Sequence, residues 1–159
     1  MLKFNANTFT HLDLEIESGK IIKTTDCKSK KELRIFPPMA TASGHEKLYL
    51  LKEGKDFVYV GVTKQNIRTR FWYGLTASIK RPYLYKWRTY SKLQLFVWSF
   101  GVAGSTSREQ LENIEAEVAF IIRKETRNWP LSQNEIHFNN SFPEGRLIAE
   151  KIFAVANNI

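Results

Sequence analysis

The segment from Ser107 to Asn128 constrains the fold more than any other part of the chain. Ser107-Arg108-Glu109-Gln110 fits a capping box, with Gln110 three residues after the serine. Leu111, Ile114, Val118, Ile121 and Ile122 then recur at helical spacing, which predicts a helix with one apolar stripe. The helix should end near Asn128, just before Trp129-Pro130. Such a stripe has to be buried against another element.

Upstream, the apolar runs are short and β-rich. Lys47 to Leu51 and Asp56 to Val62, with Gly54 in the turn between them, predict a hairpin of central strands. Leu93 to Phe100 predicts a third core strand. Asn66 to Tyr73 reads as a short helix capped by Asn66. Leu12 to Glu17 alternates apolar and acidic residues, and Ser18-Gly19 turns it into Lys20 to Thr25, an N-terminal hairpin. Glu144 to Ala156 is a last amphipathic helix with Leu147, Ile148, Ile152 and Val155 inward. The expected class is α+β: a small antiparallel sheet of about three core strands flanked by helices. The expected organisation is one domain over 1–159. It comprises an N-terminal extension at 1–45 (hairpin and connector), a core at 46–138 and a C-terminal helix at 139–159.

The chain carries 24 Lys and Arg against 16 Asp and Glu, a net charge of +8, which favours a polyanionic partner. The distribution is more telling. No acidic residue lies between Asp56 and Glu109, whereas Lys64, Arg68, Arg70, Lys80, Arg81, Lys86, Arg88, Lys92 and Arg108 do. Trp72, Tyr73, Tyr83, Tyr85, Trp87 and Tyr90 are interleaved with them. Cations neutralise phosphates and amphipathic rings pack on sugars or bases. With a single cysteine, Cys27, no intrachain disulfide forms. His11, His45 and His137 have no ligand-like spacing, so no structural zinc is expected. No apolar run approaches the roughly 20 residues that span a bilayer, and Met1 to Thr10 lacks a signal-peptide core. A cytoplasmic location is expected.

Four features ask for a chemical explanation. Tyr49 and Tyr59 lie in adjacent strands of one hairpin, Val60-Gly61 follows the second tyrosine, and Arg70 sits in the helix beyond. Glu117 stands among Ala116, Val118, Ala119 and Phe120, and glutamates are rarely buried unless paired or metal-bound. In order and spacing these residues resemble the GIY-YIG nuclease family over residues 46–138. Lys47-Leu48-Tyr49 corresponds to the first element, Tyr59-Val60-Gly61 to the second, and Asn66 to Phe71 to the segment that ends in the catalytic arginine, Arg70. Glu117 to Ile121 resembles the segment whose glutamate holds the metal, and Asn134 the asparagine beyond that helix. Lys47 replaces the family's first glycine. Gly74 stands where many members have His or Tyr, with Tyr73 adjacent.

The resemblance implies a divalent-metal-dependent DNA endonuclease with one Mg2+ (or Mn2+) on Glu117. Magnesium retains most of its waters, so a single carboxylate suffices. The implied site is Tyr49, Tyr59, Arg70, Glu117 and Asn134, with Lys64, Arg68, Tyr73 and Lys86 on the substrate. Arg70 would hold the scissile phosphate. A phenol ordinarily titrates near about 10, so a tyrosine base needs cations that favour the phenolate. Tyr49 is taken as the general base and Tyr59 as orienting water or phosphate; the reverse is open. A free-standing chain of this size resembles restriction enzymes, which implies double-stranded DNA as partner and a symmetric homodimer. A structure-specific repair or mobile-element nuclease and a non-enzymatic nucleic-acid-binding module are the alternatives.

Overall fold

A computed structural model describes residues 4–76, 86–101, 106–133, 136–138 and 142–159. Five strands form one antiparallel sheet: β1 (Thr10–Glu17), β2 (Lys20–Asp26), β3 (Lys47–Glu53), β4 (Asp56–Thr63) and β5 (Lys92–Ser99), in the order β2-β1-β5-β3-β4. The helices are α1 (Pro38–Thr41), α2 (Ile67–Thr76), α3 (Arg108–Thr126) and α4 (Pro143–Asn157), with a 3-10 turn at Lys86–Thr89. The α+β class holds, but the sheet is larger than three core strands. The N-terminal hairpin is no appendage. Its first strand pairs with β5 from Thr10↔Val97 to Glu15↔Lys92, so the expected third strand lies mid-sheet. The reason is apolar continuity, because Leu12, Leu14 and Ile16 bury beside Leu93, Leu95 and Val97.

Strand alternation divides the core between the two faces of the sheet. On one face Leu48, Leu50, Val60, Val62, Phe96 and Trp98 pack against α3 and α4. On the other, Tyr49, Leu51, Val58 and Leu95 pack with Phe71 of α2 and with Trp87. Local signals act where expected. Ser107 accepts from Gln110 N while Gln110 Oε1 accepts from Ser107 N, and Asn66 Oδ1 accepts from Arg68 N at 2.8 Å. Strand β4 is at the edge of the sheet, and its outer side is covered. Leu131 N and Ser132 N donate to Phe57 O and Val58 O, and the Gln133 amide brackets Val60. Among the described residues no helix is long and apolar enough to cross a membrane.

Candidate active site

The site forms where α2 packs over the β3–β4 hairpin. Tyr49 stands opposite Gly61 in the ladder, and Tyr59 opposite Leu51. The register then shifts, because Lys52 faces Phe57, so Val58 lies between two paired positions. Bulge-like irregularities of this kind re-aim side chains. Here the shift lets Val58 join Tyr59 on the Tyr49 face. The phenol rings lie 5.9 Å apart, tilted by 33°, and Phe71 meets Tyr49 edge-on at 5.7 Å. Tyr49 is fully buried at 0% exposure, whereas Tyr59 is half-buried. Gly61 makes this packing possible. A β-carbon there would lie 2.5 Å from Tyr49 Cζ and 2.7 Å from Tyr59 Cε1, far inside contact distance.

Arg70, half-buried in α2, donates from Nε to the Tyr49 hydroxyl at 3.3 Å. The loop that leads into α2 is anchored by Lys47. Its side chain is fully buried, and its ammonium donates to the carbonyls of His45 (2.8 Å), Gln65 (3.1 Å) and Lys64 (3.5 Å). Burial pulls the Lys47 pKa down, and the neighbouring Glu46 carboxylate partly offsets this. Lys47 is therefore a clamp that ties the start of β3 to the β4–α2 loop.

Glu117 is paired toward α4. Its Oε2 accepts from Arg146 Nη1 of α4 at 2.9 Å, and Arg146 also pairs with Glu150 and covers the Phe120 ring. At 100° per residue, Glu115 projects about 200° away from Glu117, on the opposite flank of α3. Burial pushes the Glu115 carboxyl up to about 8; the positive charges of Arg108 and Arg70 pull down against it, while Glu112 adds to the rise. The charge of Arg70 is therefore felt at Glu115. Sequence spacing does not separate the two glutamates, because Glu115 is four residues after Leu111 and three before Val118, and Glu117 is three after Ile114 and four before Ile121.

The substrate residues divide. Lys64 Nζ is paired at 3.1 Å with Glu46, whose side chain is 1% exposed, so this cation neutralises a buried carboxylate. Arg68, exposed, lines a cleft of about 280 Å3 with Ile21, Arg34 and Phe36 on the β2 side, away from Tyr49. Trp72 and Tyr73 are 59% and 50% exposed on α2. Lys86 is exposed, while adjacent Trp87 is buried edge-on against Phe71 at 4.9 Å. Trp87 thus belongs to the core on the Tyr49 face of the sheet. His137 is exposed. Asn134, Tyr83 and Tyr85 lie outside the described residues.

The donor chemistry at Glu115 fits a hard divalent cation. It is a half-buried carboxyl whose charged form burial disfavours, and the positive charges of Arg108 and Arg70 offset this only in part. No family model matches this chain, and no curated protein or solved structure shows significant similarity to it.

Proposed function

We propose that the protein is a divalent-metal-dependent DNA endonuclease of GIY-YIG type. The observation that carries this reading is the Tyr49–Arg70 hydrogen bond seated on Gly61, with Tyr59 against Tyr49 and the charge of Arg70 felt at Glu115. A binding module has no use for a desolvated glutamate beside its phosphate-binding arginine, because the carboxylate repels phosphate.

In this reading Arg70 holds the scissile phosphate and offsets charge developing on its non-bridging oxygens. Tyr49 fixes the guanidinium from below. The role of general base passes from Tyr49 to Tyr59. Tyr49 is closed to solvent, and a base has to reach the proton it takes. As phenolate, Tyr59 accepts a proton from the attacking water; the new P–O bond forms and the bond to the 3′ oxygen breaks. Glu115, in place of Glu117, would hold Mg2+ or Mn2+, which supplies Lewis-acid stabilisation of the phosphate and leaving oxygen. Exposed Trp72 and Tyr73 offer rings to sugar or base, and Lys86 offers a cation to the backbone. Cutting both strands of a fixed duplex site calls for two copies of the chain.

The test is incubation with supercoiled plasmid and long duplex DNA, with Mg2+ or with EDTA, beside Glu115→Gln. Discrete fragments that need the metal and vanish in the variant are expected. Salt-sensitive binding without cleavage would replace this reading with the binding module.

A further inference from the structure

The geometry points to a second metal site, for a borderline-soft divalent cation such as Zn2+, built from His11, Asp13 and Cys27 on the N-terminal hairpin. One ligand atom from each residue, an imidazole nitrogen, a carboxylate oxygen and the thiol sulfur, lies within 4.8 Å of the other two.

Three residues remote from ordinary ligand spacing converge because of the sheet. Alternation along β1 puts His11 and Asp13 on one face, opposite the buried Leu12 and Leu14. Cys27 comes to them from the end of β2, where its N–H donates to His11 O at 3.0 Å. The sequence expectation of no zinc rested on linear spacing, which cannot register a ligand set completed across a strand pair.

The ligands are supported. The His11 ring stacks on Phe96 at 4.1 Å between centroids, inclined by 14°. Its Nε2 is buried without a hydrogen-bond partner among the described residues. The Cys27 sulfur lies within 4.8 Å of an Asp13 carboxylate oxygen, so one cation between them can take both as ligands. On binding, the thiol proton leaves to solvent and the thiolate joins the carboxylate as an anionic ligand. Asp26 adds negative charge beside His11, and Lys30 and Lys52 oppose it. Lys52 is already engaged, since its ammonium donates to Ala156 O at 2.7 Å. Asp13 also lines an open cleft of about 320 Å3 with Glu15 and Thr25. That opening gives a path for the ion and for water as fourth ligand. A mixed S, N, O set selects Zn2+ over Mg2+, whose ligands are oxygens. The site is therefore independent of Glu115. Its occupant would fasten the segment after β2 onto β1, which is hydrogen-bonded to the central strand β5.

The experiment titrates chelator-treated protein with Co2+ as an optical stand-in for Zn2+. A thiolate-to-cobalt charge-transfer band that saturates at one equivalent and is displaced by Zn2+ is expected. It should be absent in Cys27→Ser, weakened at least about tenfold in His11→Ala and Asp13→Asn, and unchanged in Glu115→Gln. The last variant separates this site from the proposed catalytic one. Circular dichroism checks that each variant folds; exposed Asp13 provides the variant least coupled to the core. No charge-transfer band in the wild type would overturn the assignment. So would a band of undiminished affinity in both His11→Ala and Asp13→Asn, which would mean a thiol acting alone.

Discussion

Gly61 lies directly beneath Tyr49, paired with it across the β3–β4 ladder and so close that a β-carbon would enter the phenol ring. Neither strand can yield easily, because β3 is held between β4 and β5. Gly61→Ala should therefore displace both tyrosines, cost about 1–3 kcal/mol of stability by overpacking, and abolish cleavage in chain that is still folded. Thermal melting and single-turnover cleavage check this. Wild-type cleavage in the alanine variant would show that the tyrosine geometry does not matter.

Tyr49 and Tyr59 should separate by function. Tyr59→Phe removes the solvent-reaching hydroxyl and should lower the single-turnover rate by about 100-fold or more, within the range of general base catalysis. Tyr49→Phe removes the acceptor for Arg70 and should weaken phosphate binding along with the rate. If Tyr59→Phe cleaves normally and Tyr49→Phe is dead with binding intact, the base is Tyr49.

Glu117 and Arg146 form a partly exposed pair between α3 and α4. Pairs of this exposure are worth little, within about 1 kcal/mol. Glu117→Gln should cleave within a few-fold of the wild type, whereas Glu115→Gln should lose about 100-fold or more. The opposite ranking in a metal-dependent assay would restore Glu117 as the ligand.

Glu115 also predicts how metal-free stability varies with pH. Burial raises its folded pKa from the ordinary 4.5 to about 8. Between those values the folded chain holds a proton that the unfolded chain has lost. Stability therefore falls as pH rises through this window and levels off above it. Glu115→Gln has no charge to desolvate and should flatten that fall. Melting in EDTA from about pH 5 to about pH 9 should show the variant gaining on the wild type as pH rises, by roughly 2–4 °C for each kcal/mol. Parallel curves would mean that the carboxyl ionises freely.

Much of this site was legible because its signals are local. The Ser107 capping box, the Asn66 cap and the paired runs around Gly54 each form their element from neighbouring residues. The order Tyr49, Tyr59, Gly61, Arg70 needed only one hairpin and one helix to bring the tyrosines and the arginine together. What escaped was non-local. Pairing of β1 with β5 joins residues 77 to 87 positions apart. The choice between Glu115 and Glu117 depends on where α4 docks, since Arg146 claims the glutamate on that side. Motif matching favoured the residue with apolar sequence neighbours on both sides. In a helix, however, burial follows the angle around the axis, not adjacency along the chain.

Lys47 separates a structural clamp from a DNA contact. It belongs to a basic chain, yet its side chain has no exposed surface and its ammonium is spent on the carbonyls of His45, before β3, and of Gln65, in the β4–α2 loop. Lys47→Met keeps most of the apolar stem but leaves those carbonyls without their donor, which costs about 1–3 kcal/mol. The loop that carries Arg70 toward Tyr49 then loses its anchor. Misplacement of a phosphate-holding group should slow cleavage by about tenfold to 100-fold, while the salt dependence of duplex affinity stays at its wild-type value, because a buried ammonium releases no counterion from DNA. Lys86→Met, at an exposed position, should do the reverse and weaken binding with a shallower salt slope. A loss of affinity in Lys47→Met with an unchanged single-turnover rate would show that the buried lysine moves out to meet the phosphate backbone.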